Sequence, residues 1–124
     1  MSSALSAPPV RPVRYRCELD ARVEWEGQRH PARILDLSRT GAFIETQLDL
    51  QVGDRARVGL ALPGGDPVFL DVVVVRLGKT LRDMRHPRVH NLTVRAIGVG
   101  VQFVEVPDED ATRLDGFLEL LDER

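Results

Sequence analysis

The sequence CELDARVEW, residues 17–25, alternates apolar and charged side chains along its whole length. Because successive side chains of a β-strand point to opposite faces, this period of two predicts a half-buried strand. A turn, EGQ at residues 26–28, is followed by a returning strand over residues 29–35 and a third short strand over residues 42–46. Short connections between consecutive strands predict that the three are antiparallel neighbours.

The rest of the chain continues this pattern. Two more strands are predicted over residues 55–62 and 68–77, and a sixth begins near Arg95 and runs to Phe103. In the sixth strand Gly98 and Gly100 occupy one face, and missing side chains there predict that another group approaches closely.

One helix is predicted at the end of the chain, over residues 108–122. A proline and three acidic residues stand where a helix N-terminus favours them. Apolar residues then recur at helical spacing: Leu114, Phe117, Leu118 and Leu121.

Six strands with a single helix predict a mainly all-β protein. A parallel sheet would need crossover helices that this chain does not contain. The expected fold is a six-stranded antiparallel barrel with one C-terminal α-helix, and a six-stranded sandwich is the alternative, because periodicity does not show how a sheet closes.

The length of 124 residues fits one domain, expected over residues 11–124 after a flexible N-terminal tail at residues 1–10. Lys and Arg number 17 against 19 Asp and Glu, a net charge of -2, so neither DNA or RNA nor a membrane is expected as partner. No apolar run is long enough to span a bilayer, and the single Cys17 agrees with a reducing compartment. We therefore expect a soluble, cytoplasmic protein.

The segment DLSRTGA, residues 36–42, joins the second and third strands. Asp and Ser side chains can fold back on their own backbone, and Gly41 allows a positive φ or a close backbone approach. With Arg11, Arg14 and Arg16 upstream, the segment predicts an anion-binding turn beside guanidinium groups. The alternative is a hairpin turn that uses these residues for backbone reasons alone.

These residues resemble the PilZ domain family, small antiparallel barrels that act as receptors for the bacterial second messenger cyclic di-GMP. The resemblance lies in residues 36–41 as an (Asp/Asn)-x-Ser-x-x-Gly motif, in the arginines before the first strand, in VGD at residues 52–54, and in GVGVQF at residues 98–103 before the helix.

The resemblance implies a signalling receptor or adaptor that binds cyclic di-GMP, changes its N-terminal segment and surface, and passes the signal to a protein partner. No enzymatic activity, cofactor or metal is expected. The expected ligand-binding residues are Arg11, Arg14, Arg16, Asp36, Ser38, Arg39, Gly41 and Gly100.

The chain departs from the family at the arginines, because no two of them stand four positions apart as an Arg-x-x-x-Arg motif requires. The alternative is therefore a degenerate PilZ domain that does not bind nucleotide and acts as a protein–protein interaction module. A homodimer is a further arrangement left open.

Residues 78–95 form a basic segment between the fifth and sixth strands, predicted as a long loop. It would be either a basic flap that contacts ligand or partner, or a solvated hairpin tip. His86 and His90 within it are separated by four positions, but Pro87 disfavours the helix that would bring them together as metal ligands.

Overall fold

The computed structural model describes residues 13–83 and 93–123, with side chains described outside residues 79–97. It contains six strands and one helix in chain order. They are β1 (Tyr15–Trp25), β2 (Gln28–Leu37), β3 (Gly41–Glu45), β4 (Arg55–Leu60), β5 (Val68–Asp83), β6 (Thr93–Val104) and α1 (Asp108–Asp122). The predicted mainly all-β fold with one C-terminal helix is confirmed.

The six strands close into an antiparallel barrel in the order β1-β2-β3-β6-β5-β4. Closure is made by β1 and β4, which pair from Ala21↔Leu60 to Glu24↔Arg57. This pairing excludes the sandwich alternative. The hairpin between β1 and β2 turns at Glu26 and Gly27, whose φ angles of 51° and 77° match the twist of the flanking strands.

The core fills the inside of the barrel with aliphatic side chains from every strand. The alternation predicted for residues 17–25 is present, since Leu19, Ala21 and Val23 are buried while the charged residues between them face outward. Helix α1 covers one end of the barrel with Leu114, Leu118 and Leu121, which belong to the same cluster. Cys17 is half-buried against this cluster, as its place on the apolar face predicted.

Three register shifts interrupt the ladders. They lie between Arg16 and Leu19 on β1, between Ile34 and Asp36 on β2, and between Val74 and Arg76 on β5. A β-bulge adds one residue to a strand and changes the direction of the side chains that follow it. The bulges on β2 and β5 therefore decide which side chains the barrel presents on its outer face.

The prediction of a loop over residues 78–95 is wrong at both ends. β5 continues to Asp83 and β6 begins at Thr93, and their backbones pair from Gly78↔Gly98 to Asp83↔Thr93. Residues 79–83 and 93–97 form a two-stranded extension, the β5–β6 ribbon. Local sequence did not show it because charged residues interrupt the apolar alternation over residues 79–83. The histidines at 86 and 90 lie outside the described residues.

No helix of the described chain has the length and apolar character that crossing a membrane requires.

Candidate functional site

The turn between β2 and β3 is held by Ser38, which is buried. Its hydroxyl donates to the Gly41 carbonyl at 3.2 Å and accepts from the amides of Thr40 and Gly41 at 3.2 and 3.1 Å. A serine hydroxyl has one donor and two acceptor positions, so these three bonds use all of them. Ser38 thus shapes the turn, which is the backbone role that the sequence offered as the alternative.

Gly41 is required by close packing of strands. A Cβ at this position would collide with the backbone carbonyl oxygen of Val101 on β6. Its φ is not positive, so the close approach rather than the left-handed conformation explains the glycine. Gly41 therefore lets β3 lie against β6, and the turn stays fixed on the barrel.

Asp36 lies at the end of β2, directly after the bulge, with its side chain on the outer face. Its Oδ1 accepts the backbone amide of Phe43 at 3.1 Å. The carboxylate side chain remains 26% exposed. It is thus anchored to the barrel on one side and open to solvent on the other.

The arginines upstream meet this carboxylate in different ways. The Arg14 guanidinium lies 3.4 Å from Asp36 Oδ1. Arg16 is opposite Asp36 in the β1–β2 ladder and so belongs to β1 rather than to a segment before it. Arg11 lies outside the described residues. At least one guanidinium therefore reaches the turn, although the spacing of the arginines departs from the family pattern.

Arg39 belongs to the same turn, but its side chain extends to the helix. Its Nε lies 2.8 Å from Asp115 Oδ1 and its Nη2 lies 3.1 Å from Oδ2, a two-pronged ion pair. The Tyr15 hydroxyl donates to Asp122 at 3.1 Å. Partial desolvation, and then this bond to the Asp122 carboxylate, raise the pKa of the Tyr15 hydroxyl above its ordinary value.

These two contacts cross a cleft of about 330 Å³ between the barrel end and α1. The side chains of Leu118 and Glu119 also line it, as does Val13 from the segment before β1. The turn and the start of β1 are thus both joined to one face of α1.

Gly100 lies on the outer face of β6, and the close approach predicted there is made by the protein itself. A Cβ on Gly100 would stand 2.7 Å from both Cγ and Nε of Arg76 on β5. The Arg76 guanidinium carbon lies 5.7 Å from the centre of the Phe43 ring. Phe43 in turn lies over Gly98, where a Cβ would be 2.6 Å from the ring.

Sequence reasoning missed Arg76, Phe43 and the contacts to α1. The glycines at 98 and 100 signalled that something lies over β6, but their neighbours come from β3 and β5. In the described segments, no three His, Cys, Asp or Glu side chains are grouped as metal ligands.

The arrangement can bind an anion or a polar ring on the outer face of the barrel. Asp36 offers an anchored acceptor, and Arg14 offers a planar group of donors beside it. The described turn contains no activated nucleophile, because the Ser38 hydroxyl is donated to the Gly41 carbonyl.

Comparison with known proteins gives one family and several structures. The family described as PilZ domain matches residues 10–120. The PilZ domain of YcgR from Escherichia coli, with c-di-GMP, is 14% identical and superposes with a TM-score of 0.76 over 94% of this chain and 93% of that one.

Two longer proteins share the fold. The K. pneumonia MrkH–c-di-GMP complex is 19% identical, with a TM-score of 0.72 over 94% of this chain and 53% of that one. The Bacillus subtilis inhibitor of motility MotI is 18% identical, with a TM-score of 0.68 over 95% of this chain and 54% of that one. The chain thus spans about half the length of these two proteins. No curated protein matches the chain by sequence. Since the family match covers most of the chain, the protein belongs to the PilZ domain family.

Proposed function

We propose that this protein is a receptor for cyclic di-GMP, which it binds on the outer face of the barrel at the β2–β3 turn. The observation that carries the proposal is the Arg14 guanidinium 3.4 Å from Asp36, because it puts a cation and an anchored carboxylate at one solvent-open place. The YcgR and MrkH structures contain c-di-GMP on the same fold, which supports this choice of ligand.

The chemistry of the ligand matches these groups. Guanine carries N1 and N2 donors for the Asp36 carboxylate, and its O6 and N7 form an acceptor pair that an arginine fork can meet. The phosphodiesters are anionic and attract Arg14 and Arg16. Ser38 and Gly41 then act as positioning residues that hold Asp36 and the turn on the barrel, since their polar atoms and contacts are used within the protein.

Replacing Arg14 should weaken binding without harming the fold. The side chain is 46% exposed and its ion pair with Asp36 is a surface contact. The free energy of unfolding of Arg14→Ala should therefore be within about 0.5 kcal/mol of the wild-type value. Loss of one guanidinium facing the ligand should raise the Kd for cyclic di-GMP by about tenfold. Isothermal titration calorimetry measures this Kd. The nucleotide should be recovered unchanged at the end of the titration.

The matched control is Arg22→Ala, an exposed arginine on β1 whose ladder partners are Pro31 and Gly59, away from the turn. It should bind like the wild type. Equal weakening in both variants would show that overall charge, not the site, sets the affinity. A wild-type protein that is folded but gives no heat with cyclic di-GMP would overturn the receptor proposal.

A second candidate is an interaction module that binds no nucleotide. It is favoured by the internal use of the Ser38 hydroxyl and by two exposed apolar side chains on β5, Val75 and Leu77, which are 45% and 55% exposed. Protein partners are recognised through such apolar side chains when they are clustered. The titration separates the two candidates.

Ligand binding at the turn would be transmitted to a protein partner by a change in the position of α1. Arg39 is adjacent to Ser38 in the turn and Tyr15 is adjacent to Arg14, and each is bonded to an acidic residue of the helix. A ligand that moves the turn or the start of β1 must change these bonds, and with them the seating of α1. A protein partner would therefore recognise the outer surface of α1.

Arg39→Ala should loosen α1. Its ion pair is largely exposed, at 69% and 40% of the two side chains, so the loss in global stability should be at most about 1 kcal/mol. Amide hydrogen exchange across residues 114–121 should nevertheless become several-fold faster, and the change in this exchange caused by cyclic di-GMP should shrink.

Arg29→Ala is the control, because it removes a similarly exposed ion pair, Arg29 with Glu24, at the opposite end of the β1–β2 hairpin. Exchange in α1 should match the wild type in that variant. Unchanged exchange in Arg39→Ala would exclude this ion pair as the route of the signal.

A further inference from the structure

Four positions form one row across the outer face of the barrel. Asp36 pairs with Phe43, Phe43 with Gly100, and Gly100 with Arg76, so the row crosses β2, β3, β6 and β5. Asp36 and Arg76 stand at its two ends, each directly after a bulge. Three strand spacings separate their backbones, about 14 Å.

The Arg76 side chain lies on the outer face and extends along this row from β5 toward Gly100 and Phe43. Its Cγ and Nε each lie 2.7 Å from the position that a Cβ on Gly100 would occupy, so the side chain passes over the Gly100 backbone. The guanidinium then lies 5.7 Å from the centre of the Phe43 ring. The glycine and the ring thus hold an arginine along the surface, in the direction of Asp36.

Arg76 keeps access to solvent. Arg76 is exposed, whereas Phe43, over whose ring it lies, is 4% exposed. Within residues 13–78 and 98–123, where side chains are described, the ion pairs Arg14–Asp36, Arg29–Glu24 and Arg39–Asp115 do not involve Arg76. A guanidinium that lies over the Phe43 ring is therefore accessible from solvent on the same outer face as Asp36.

We propose that Arg76 is a stacking platform for a guanine base whose N1 and N2 donors are held by Asp36. A guanidinium is planar and stacks on aromatic rings, and a base above Arg76 would present its edge to a carboxylate along the row. The inference rests on the proposed nucleotide site. It adds Arg76 of β5 as a third arginine beside Arg14 and Arg16, whose spacing departs from the family motif.

Four variants test the proposal by calorimetric titration with cyclic di-GMP. Arg76→Ala should weaken binding by about tenfold, the usual effect of removing one base-stacking side chain. Arg76→Lys keeps the charge but lacks the plane, and it should be weakened similarly. Arg76→Tyr keeps a plane without charge and should remain within about threefold of the wild type. Gly100→Ala should displace Arg76, because the nearest atoms to the new Cβ belong to that flexible side chain.

The matched control is Arg57→Ala. Arg57 also lies over an aromatic ring, 5.3 Å from the centre of Phe69, but it is on β4 and away from Asp36. It should bind like the wild type. Melting temperatures show that each variant is folded.

The outcomes separate this inference from the receptor proposal. If the wild type binds and Arg76→Ala binds equally well, the platform is wrong and the receptor stands. If Arg76→Lys binds like the wild type while Arg76→Tyr fails, Arg76 acts through charge and stacking is excluded. If the wild type itself does not bind, both proposals fail together.

Discussion

Asp36→Ala should reduce the affinity for cyclic di-GMP by about 10- to 100-fold. This factor corresponds to the net loss of about one hydrogen bond to a charged acceptor, which is worth roughly 1.5–3 kcal/mol. Asp36 is the position where Arg14, the Phe43 amide and the proposed base meet, so no neighbouring side chain can replace it. Titration of the purified variant measures the change.

Asp36→Asn distinguishes a binding defect from a folding defect. An asparagine keeps an oxygen for the Phe43 amide, so the barrel should be as stable as in the wild type, while the charge facing Arg14 and the base is removed. Affinity should fall in the order wild type, Asn, Ala. Asp20→Ala, an exposed acid on β1 paired with Arg33, is the charge-matched control. Binding by Asp36→Ala at wild-type strength would exclude the turn as the site.

Gly41→Ala should lower the stability of the whole barrel by about 3 kcal/mol, or about 10 °C in melting temperature. The added methyl would meet the Val101 carbonyl, which is backbone and cannot rotate away. β3 and β6 would have to separate where they pair, from Gly41↔Gln102 onward. Thermal unfolding followed by circular dichroism tests this.

Gly116→Ala is the opposite case. Gly116 lies in α1, and nothing stands within 4 Å of a Cβ built there. Alanine restricts the unfolded chain and favours a helix, so this variant should be about 0.5–1 kcal/mol more stable than the wild type. Equal melting temperatures for both variants would show that the close approach at Gly41 is not needed.

The fold was predictable where its signals are local. The alternation at residues 17–25 and the leucine spacing of the helix are each contained in one short window, and the predicted helix over residues 108–122 has the bounds of α1. The ends of the strands were harder to predict from the sequence. β5 runs six residues past the predicted end at Leu77, because its backbone continues to pair with β6 where charged residues interrupt the apolar alternation.

The site was predictable in part. Asp36 and the turn are contiguous residues, and the arginines nearby could be identified by charge. The position of Arg76 on the outer face could not be predicted, because it depends on a bulge after Val74 that shifts the ladder by one residue. Alternation indicates two faces of a strand but not where an extra residue exchanges them. The ion pair of Arg39 with Asp115 likewise joins residues 76 positions apart.

Closure of the barrel by β1 and β4 limits how a protein partner can attach. In an open sheet, a foreign peptide can dock by hydrogen bonding to an unpaired edge strand, which is a recognition mode largely independent of side chains. Within the closed ring each strand already has a neighbour on both sides, whereas the described strands of the β5–β6 ribbon pair only with each other. A partner that contacts the closed ring would therefore have to recognise its side chains, and such recognition should be sensitive to single surface substitutions.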